Sequence, residues 1–273
     1  MVFQKHILTS PLDNYVDCIL YIEGNNKGVG FPKTAMSLVF NLNDSFKLFT
    51  DKQFTQFIDY KKYWVAGLQT QPAFVESYGE SKMIVIQFKA YSAYVFLNQP
   101  LRHFTNHFID LDCVFKNEAD EIWEQLKETK TTTEKFLIIE NFLYRKLLTS
   151  KMPNDKLLSS IDLLFKNKTQ ISIAAICRQY NISRKHLNFL FQEYMGISPK
   201  MLSSLNRFQS ILQIISKSRP DKLTSIAYEL DFFDQAHFSN NFKRFTGLKP
   251  NEYIKHVATQ PSLKIVPHFL PVA

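Results

Sequence analysis

A chain of 273 residues, 45% hydrophobic and 21% charged, is long enough for two globular domains, and it holds no apolar run near the roughly 20 residues that a membrane-crossing helix needs. Its cysteines, Cys18, Cys113 and Cys177, are far apart and form no C-x-x-C or Cys/His cluster, which argues against a disulfide framework or a zinc site, and no metal or cofactor is expected. The formal net charge of +8 is concentrated between positions 156 and 260, where 15 Lys and Arg stand against 7 Asp and Glu while the rest balances; such asymmetry points to a polyanion, nucleic acid ahead of a membrane.

The opening stretch MVFQKHILTSPLDNYVDCILYIEG alternates polar and apolar residues and has neither a continuous apolar run nor a small-residue cleavage site, so a cytoplasmic location is expected. To about Asn117 the chain reads as short strands: YVDCILYIEG, MSLVFNLND, FKLFTD, QFTQFIDY, YWVAGLQTQPAFVESYG and KMIVIQFKA. Gly24, Gly28, Gly30, Pro32, Gly67, Pro72 and Gly79 punctuate them, the pattern of an antiparallel sheet, sandwich or barrel. Its many aromatic residues, among them Phe40, Phe57, Tyr63, Trp64 and Tyr78, either fill a core or line an apolar pocket. His103 and His107 stand four apart, a metal-binding spacing if helical, but no third ligand accompanies them. EADEIWEQLKE and TEKFLIIENFLYRKLL carry apolar residues at helical spacing (Ile122, Leu126; Phe136, Ile139, Phe142, Leu143, Leu147) and close a first domain over 1–150. TSKMPND, with Pro153, is the linker.

From there the period is helical. KLLSSIDLLFKN and ISIAAICRQY give two helices, NIS breaks the pattern, and Ser183 is placed to cap RKHLNFLFQEYM, which Gly196 ends. A long helix follows over SPKMLSSLNRFQSILQIISK, with Ser198 as cap and Pro199 at its first position. LTSIAYEL, a turn at DFF, DQAHFSNNFKRFT and the short helix KPNEYIKH complete a second domain over 156–257. In VATQPSLKIVPHFLPVA, the tail over 258–273, three prolines argue against a continued helix; it either packs back or hangs free. The expected fold class is α+β: an N-terminal mainly β domain, barrel or sandwich-like with flanking helices, and a C-terminal all-α domain of two helix-turn-helix units joined by a long helix.

Those units, 172–195 and 223–246, are copies. SRKHLNFLFQEYMGISP and DQAHFSNNFKRFTGLKP align without gaps at an offset of 51 residues, placing Phe191 over Phe242, Gly196 over Gly247 and Pro199 over Pro250. The shared apolar positions (Leu187, Leu190, Phe191, Tyr194; Phe238, Phe242, Phe245) form an inward stripe. Outward stand Arg184, Lys185, Asn188 and Gln192 in the first copy, and Gln235, Ala236, Ser239, Asn240 and Lys243 in the second. Arg and Lys donate to guanine and Asn or Gln pair with adenine in the major groove, so these two faces read either as DNA-recognition surfaces or as solvated polar faces. Lys200, Lys222, Lys243, Arg244 and Lys249 would position phosphates, or are solvated charges.

The segment from Ile171 to His256 resembles the paired helix-turn-helix domain of the AraC/XylS family of bacterial transcription regulators, most closely in IAYELDFFDQAHFSNNFKRFTGLKPNEY. That resemblance implies base-facing roles for Lys185, Asn188, Gln235, Ala236 and Asn240, while Arg207, matching an arginine usual in the family, has two roles open: helix packing with a structural ion pair, or phosphate contact. The chain departs from the family at Asp231, where glycine is usual, and at Phe189 and Asn240, where arginine is frequent, which leaves the target sequence open. VAGLQTQPAFVESYG, then MIVIQFKAYSAYVFLNQPLRHFTNHFIDL, then two helices is similar to the sensor or dimerisation portion of some members. The partners implied are double-stranded DNA, a small-molecule effector, a second copy of the chain, and RNA polymerase if the protein activates transcription.

The function expected is a sequence-specific, non-enzymatic transcription regulator modulated by its N-terminal domain. Two rivals are a DNA-associated enzyme of the methyl-acceptor repair type, which needs an activated cysteine, and an architectural protein that covers DNA with little sequence choice.

Overall fold

The computed structural model describes residues 2–151, 155–166, 172–218, 235–260, 262–265 and 268–272. Ten strands come from the first part of the chain: β1 (Val2–His6), β2 (Val16–Glu23), β3 (Lys27–Gly30), β4 (Ser37–Asn41), β5 (Phe46–Phe49), β6 (Phe57–Tyr60), β7 (Tyr63–Ala66), β8 (Ala73–Ser77), β9 (Lys82–Phe88) and β10 (Phe108–Asp110). They form two antiparallel sheets, one ordered β1-β2-β9-β4-β7-β10 and the other β3-β8-β5-β6. Of the barrel and the sandwich, the chain adopts the two-sheet arrangement. Ile19, Leu38, Phe40, Val65, Ile84 and Ile86 of the first sheet are buried with Val29 of the second, and Tyr63 and Trp64 are core side chains. Phe57 and Tyr78 of the second sheet are exposed and flank the ammonium of Lys47, which stands 4.1 Å from each ring.

Short helices α1 (Ala93–Leu97) and α2 (Asp112–Phe115) lead to α3 (Asn117–Glu128) and α4 (Thr132–Leu148), the two expected helices that close this half. Thr131 caps α4 by accepting from the Glu134 amide, and Lys135 donates to the carbonyls of Leu126 and Thr129, which the end of α3 would otherwise leave open. Trp123 Nε1 donates to Asn41 O at 2.6 Å, while His6 stacks on Phe136 and meets Glu140 at 2.8 Å. His103 ends a 3₁₀ turn (Leu101–His103) and His107 precedes β10, so the two imidazoles do not share a helical face.

The remaining described chain is helical: α5 (Asp155–Lys166), α6 (Ile173–Tyr180), α7 (Arg184–Met195), α8 (Pro199–Ser218), α9 (Gln235–Thr246), α10 (Pro250–Thr259) and α11 (Ser262–Ile265). The expected helix LTSIAYEL and the turn at Asp231 lie outside the described residues. Helix α8 is the axle. Its Leu202, Leu205, Phe208, Ile211, Leu212 and Ile215 are buried, and α5, α7, α9, α10 and α11 all pack on it. The Phe208 ring lies 5.8 Å from Phe242 and 4.9 Å from Phe245.

The tail packs back. After α11, whose Leu263 is buried, β11 (Phe269–Pro271) pairs antiparallel with β3 and becomes the edge of the second sheet. Burial, and after it the charge of Lys33, hold the His268 imidazole down to a pKa of about 4, and its Nδ1 is buried without a hydrogen-bond partner among the described residues. The ordinary value is near 6.5, so the unfolded chain takes up this proton first: the associated stability is full above about pH 6.5 and falls as the pH drops towards 4. We expect His268→Gln to narrow the loss of unfolding free energy between pH 7 and 4.5 by on the order of 2–3 kcal/mol, measured by urea denaturation at both pH values.

Candidate nucleic-acid interface

Local chemistry builds the first unit. Ser172 accepts from the Ala175 amide to start α6, and Asn181, in the left-handed region at φ 49°, ends it; Asn tolerates that conformation better than most residues. Ser183 Oγ then accepts from the His186 amide at 3.1 Å, and α7 runs until Gly196, whose φ of 75° closes the helix. Leu187, Leu190, Phe191 and Met195 are buried, which turns Arg184, Lys185 and Asn188 outward, all three exposed, with Gln192 half-buried.

The second recognition helix, α9, repeats this geometry. Phe238, Phe242 and Phe245 are buried; Ala236, Asn240 and Lys243 are exposed, and Ser239 is half-buried. Gln235 opens the helix, and its side chain lies outside the described residues. The offset of 51 residues places Lys185, Asn188, Phe189 and Gln192 over Ala236, Ser239, Asn240 and Lys243. Each quartet occupies positions i, i+3, i+4 and i+7, a single helical face. Among the nearby cations Lys200, Arg244, Lys249 and Lys255 are exposed, while Lys222 lies outside the described residues.

One member of the first quartet was not among the outward residues read from the sequence. Phe189 is 56% exposed, whereas Leu187, Leu190 and Phe191 of the same helix are buried. The signal was its spacing four residues after Lys185, obscured because an aromatic side chain in an amphipathic helix is ordinarily assigned to the core. Arg207 lines a cleft between α8 and α9 with Ser204, Phe208, Asn241, Phe242 and Phe245, among packing side chains rather than on either outward face.

The end of α7 is joined to the β domain. Thr105 Oγ1 donates to the Gly196 carbonyl at 2.7 Å, Arg102 forms an ion pair with Glu193, and the rings of Tyr94 and Tyr194 lie 4.3 Å apart. A Cβ at position 196 would stand 2.7 Å from the Leu101 carbonyl oxygen, so glycine there serves both the left-handed turn and the junction. Elsewhere, burial and then the Asp17 carboxylate push the Cys18 thiol up to about 11, the opposite of an activated nucleophile.

A family described as "Helix-turn-helix domain" matches residues 176–256, and one described as "Domain of unknown function (DUF6597)" matches residues 5–110. The chain is 33% identical over 89 residues to the raffinose operon transcriptional regulatory protein of Pediococcus pentosaceus, covering 33% of this chain and 32% of that one. It is 23% identical over 154 residues to the lactose operon transcription activator of Staphylococcus xylosus, covering 52% and 55%. The matched segments thus span about a third and about half of these relatives' lengths. Among solved structures, ToxT from Vibrio cholerae aligns over 93% of this chain and 98% of that one, with 15% identity and a TM-score of 0.47.

We expect Ser183→Ala to destabilise the chain by about 1 kcal/mol through loss of the α7 cap, read as a lowered denaturation midpoint.

Proposed function

Since the chain belongs, through its C-terminal helix-turn-helix domain, to the AraC/XylS family of regulators, we propose that it is a sequence-specific, non-enzymatic transcription regulator that reads double-stranded DNA with two helices of a single chain. One observation carries this reading: two four-residue faces, three residues of each exposed, stand at matching positions of duplicated helices packed on the same helix α8. Helices α7 and α9 enter successive major-groove segments, roughly 34 Å apart on one side of the duplex. Lys185 and Arg184 donate to guanine or phosphate, Asn188 and Asn240 meet adenine edges, and Gln235, Ala236, Ser239 and Lys243 complete the second contact. Phe189, with no polar atom to offer, supplies an apolar surface for a thymine methyl group. The exposed Lys200, Arg244 and Lys249 hold phosphates.

Selection of bound sequences from a random DNA pool, at fixed salt, tests the reading. The expected result is an asymmetric motif with two blocks about one turn apart. Lys185→Ala should relax the first block and Asn240→Ala the second, each by about 1–3 kcal/mol, and Phe189→Ala should weaken a thymine preference within the first. Lys249→Ala should lower affinity for all sequences alike and make the salt slope shallower. Uniform binding of every sequence would favour the architectural alternative.

The β domain is the proposed receptor for a small-molecule effector, since Arg102, Thr105 and Tyr94 join it to the end of α7. We also place the homodimer contact on α4. Leu137, Asn141, Tyr144 and Leu148 are exposed at spacings of four, three and four residues, a seam suited to a second helix. Sedimentation should show a dimer at micromolar concentration that Leu137→Glu with Tyr144→Glu converts to monomer; a wild-type monomer would refute this contact.

A further inference from the structure

Strand β3 is an unusual acceptor edge. Its sequence Lys27-Gly28-Val29-Gly30 places glycine at two of four positions, although glycine weakens a strand unless another backbone must come close. At Gly28 one does: a Cβ there would lie 2.3 Å from the Leu270 carbonyl oxygen and 2.7 Å from the Phe269 ring. Leu270 is 5% exposed. The register Phe269 to Gly30, Leu270 to Val29 and Pro271 to Gly28 is extended at both ends, by the Phe31 amide donating to His268 O at 2.7 Å and the Val272 amide donating to Lys27 O at 2.9 Å.

This strand joins the second helix-turn-helix unit to the second sheet. Upstream of it, α11 packs on α8 and α10. Beside it, Phe31, which follows β3, meets Tyr253 of α10 at 5.8 Å, and Tyr253 meets Phe242 of α9 at 5.6 Å. The first unit is anchored independently, at Gly196 and Glu193. Both units are therefore tied to one β domain, the second by the Phe31–Tyr253 ring contact and by a strand of only three residues that contains Pro271, which has no amide to donate.

We propose that β11 with its flanking residues, 268–272, forms a releasable strand latch, which holds the second helix-turn-helix unit against the β domain and restrains it from settling into DNA together with the first. The inference rests on the DNA-reading function proposed above and adds its regulation. To seat α7 and α9 in successive grooves the two units must adjust to the duplex, and a tie from the second unit to the domain that already holds the first opposes that adjustment. Release lowers this opposition, so the closed latch is the weaker DNA-binding state, and a ligand that stabilises β3 without its partner strand would shift the chain towards the open one.

Two substitutions on opposite sides of the contact test the latch in the full chain: Leu270→Asp, which alters only the tail, and Gly28→Val, which leaves the tail intact and suits a strand. Hydrogen exchange should show the Phe31 and Val272 amides protected in the wild type and open in both variants, while the first-sheet amides of Val65 and Ile84 stay protected. Affinity for a DNA fragment selected by the wild-type chain should rise about fivefold or more in both variants, within the usual range of coupling between sites. Unprotected Phe31 and Val272 amides in the wild type would show that the latch is not closed. Affinity that is unchanged or lower in variants that have lost this protection would overturn the restraint, leaving a structural strap. If neither the wild type nor the opened variants enrich any DNA, the DNA-reading function itself fails, a result separable from the others because the wild type then selects no fragment.

Discussion

Burial of one apolar stripe along α8 is the constraint on which the rest of the helical half depends. Leu202, Leu205, Phe208, Ile211, Leu212 and Ile215 are all nearly inaccessible, and removing so many large side chains from water contributes on the order of 1.5–3 kcal/mol apiece. The neighbouring helices must turn their own apolar stripes inward to cover this surface. Once Leu187 and Phe191, or Phe238 and Phe242, face α8, the period of 3.6 residues leaves Lys185 and Asn188, or Ala236 and Asn240, facing away. The exposed faces thus follow from a core-packing requirement, and this is why the repeated core pattern places the two outward faces at matching positions although their residues differ.

Attachment of the helical half to the β domain uses different physics. Among the described residues its contacts are mixed: besides the pairing of β11 with β3, they include the Thr105 hydroxyl on the Gly196 carbonyl, the Arg102–Glu193 ion pair, the Tyr94–Tyr194 ring pair, the Phe31–Tyr253 ring pair and Thr34 Oγ1 on Gln209 Oε1 at 3.3 Å. Inter-domain contacts of this kind are individually modest. They are nonetheless placed where they matter, at the end of one recognition helix and beside the other. A change in the β domain would reach α7 through Gly196, a position where neither the backbone turn nor the available space admits a side chain.

Departures from the family pattern take on physical meaning in this setting. Phe189, standing where arginine is frequent, remains exposed and removes a charge from the first recognition face, while Asn240 does the same in the second. On the DNA-reading function proposed above, fewer guanidinium donors and more amide and apolar groups would meet the duplex, which would shift the balance from phosphate attraction towards base-edge shape and hydrogen bonding.

Much of this was legible in the sequence because it is local. Period-3.6 stripes, Ser183 and Ser198 as caps, and Gly196 and Gly247 as left-handed ends are all set by neighbours within a few positions, and backbone sterics and capping act at that range; the 51-residue repeat is legible by direct alignment. The alternation that marked the strands is local too, yet which strand pairs with which is not, and so the two-sheet order emerged only in three dimensions. The outward position of Phe189 was missed because an aromatic ring is ordinarily assigned inward, whereas the buried face of α7 is formed by Leu187, Leu190, Phe191 and Met195. The tail was open between two fates: three prolines forbid a long helix, but only β3, with a glycine in register with Pro271, determines that those residues become a strand. Sequence by itself determined the described helices, the Ser183 and Ser198 caps and the positions of the two outward faces, through short-range sterics and periodicity. Tertiary structure alone decided the sheet order, the junction at Gly196 and the return of β11 to β3, because each requires polar groups far apart in the chain to approach within hydrogen-bonding distance.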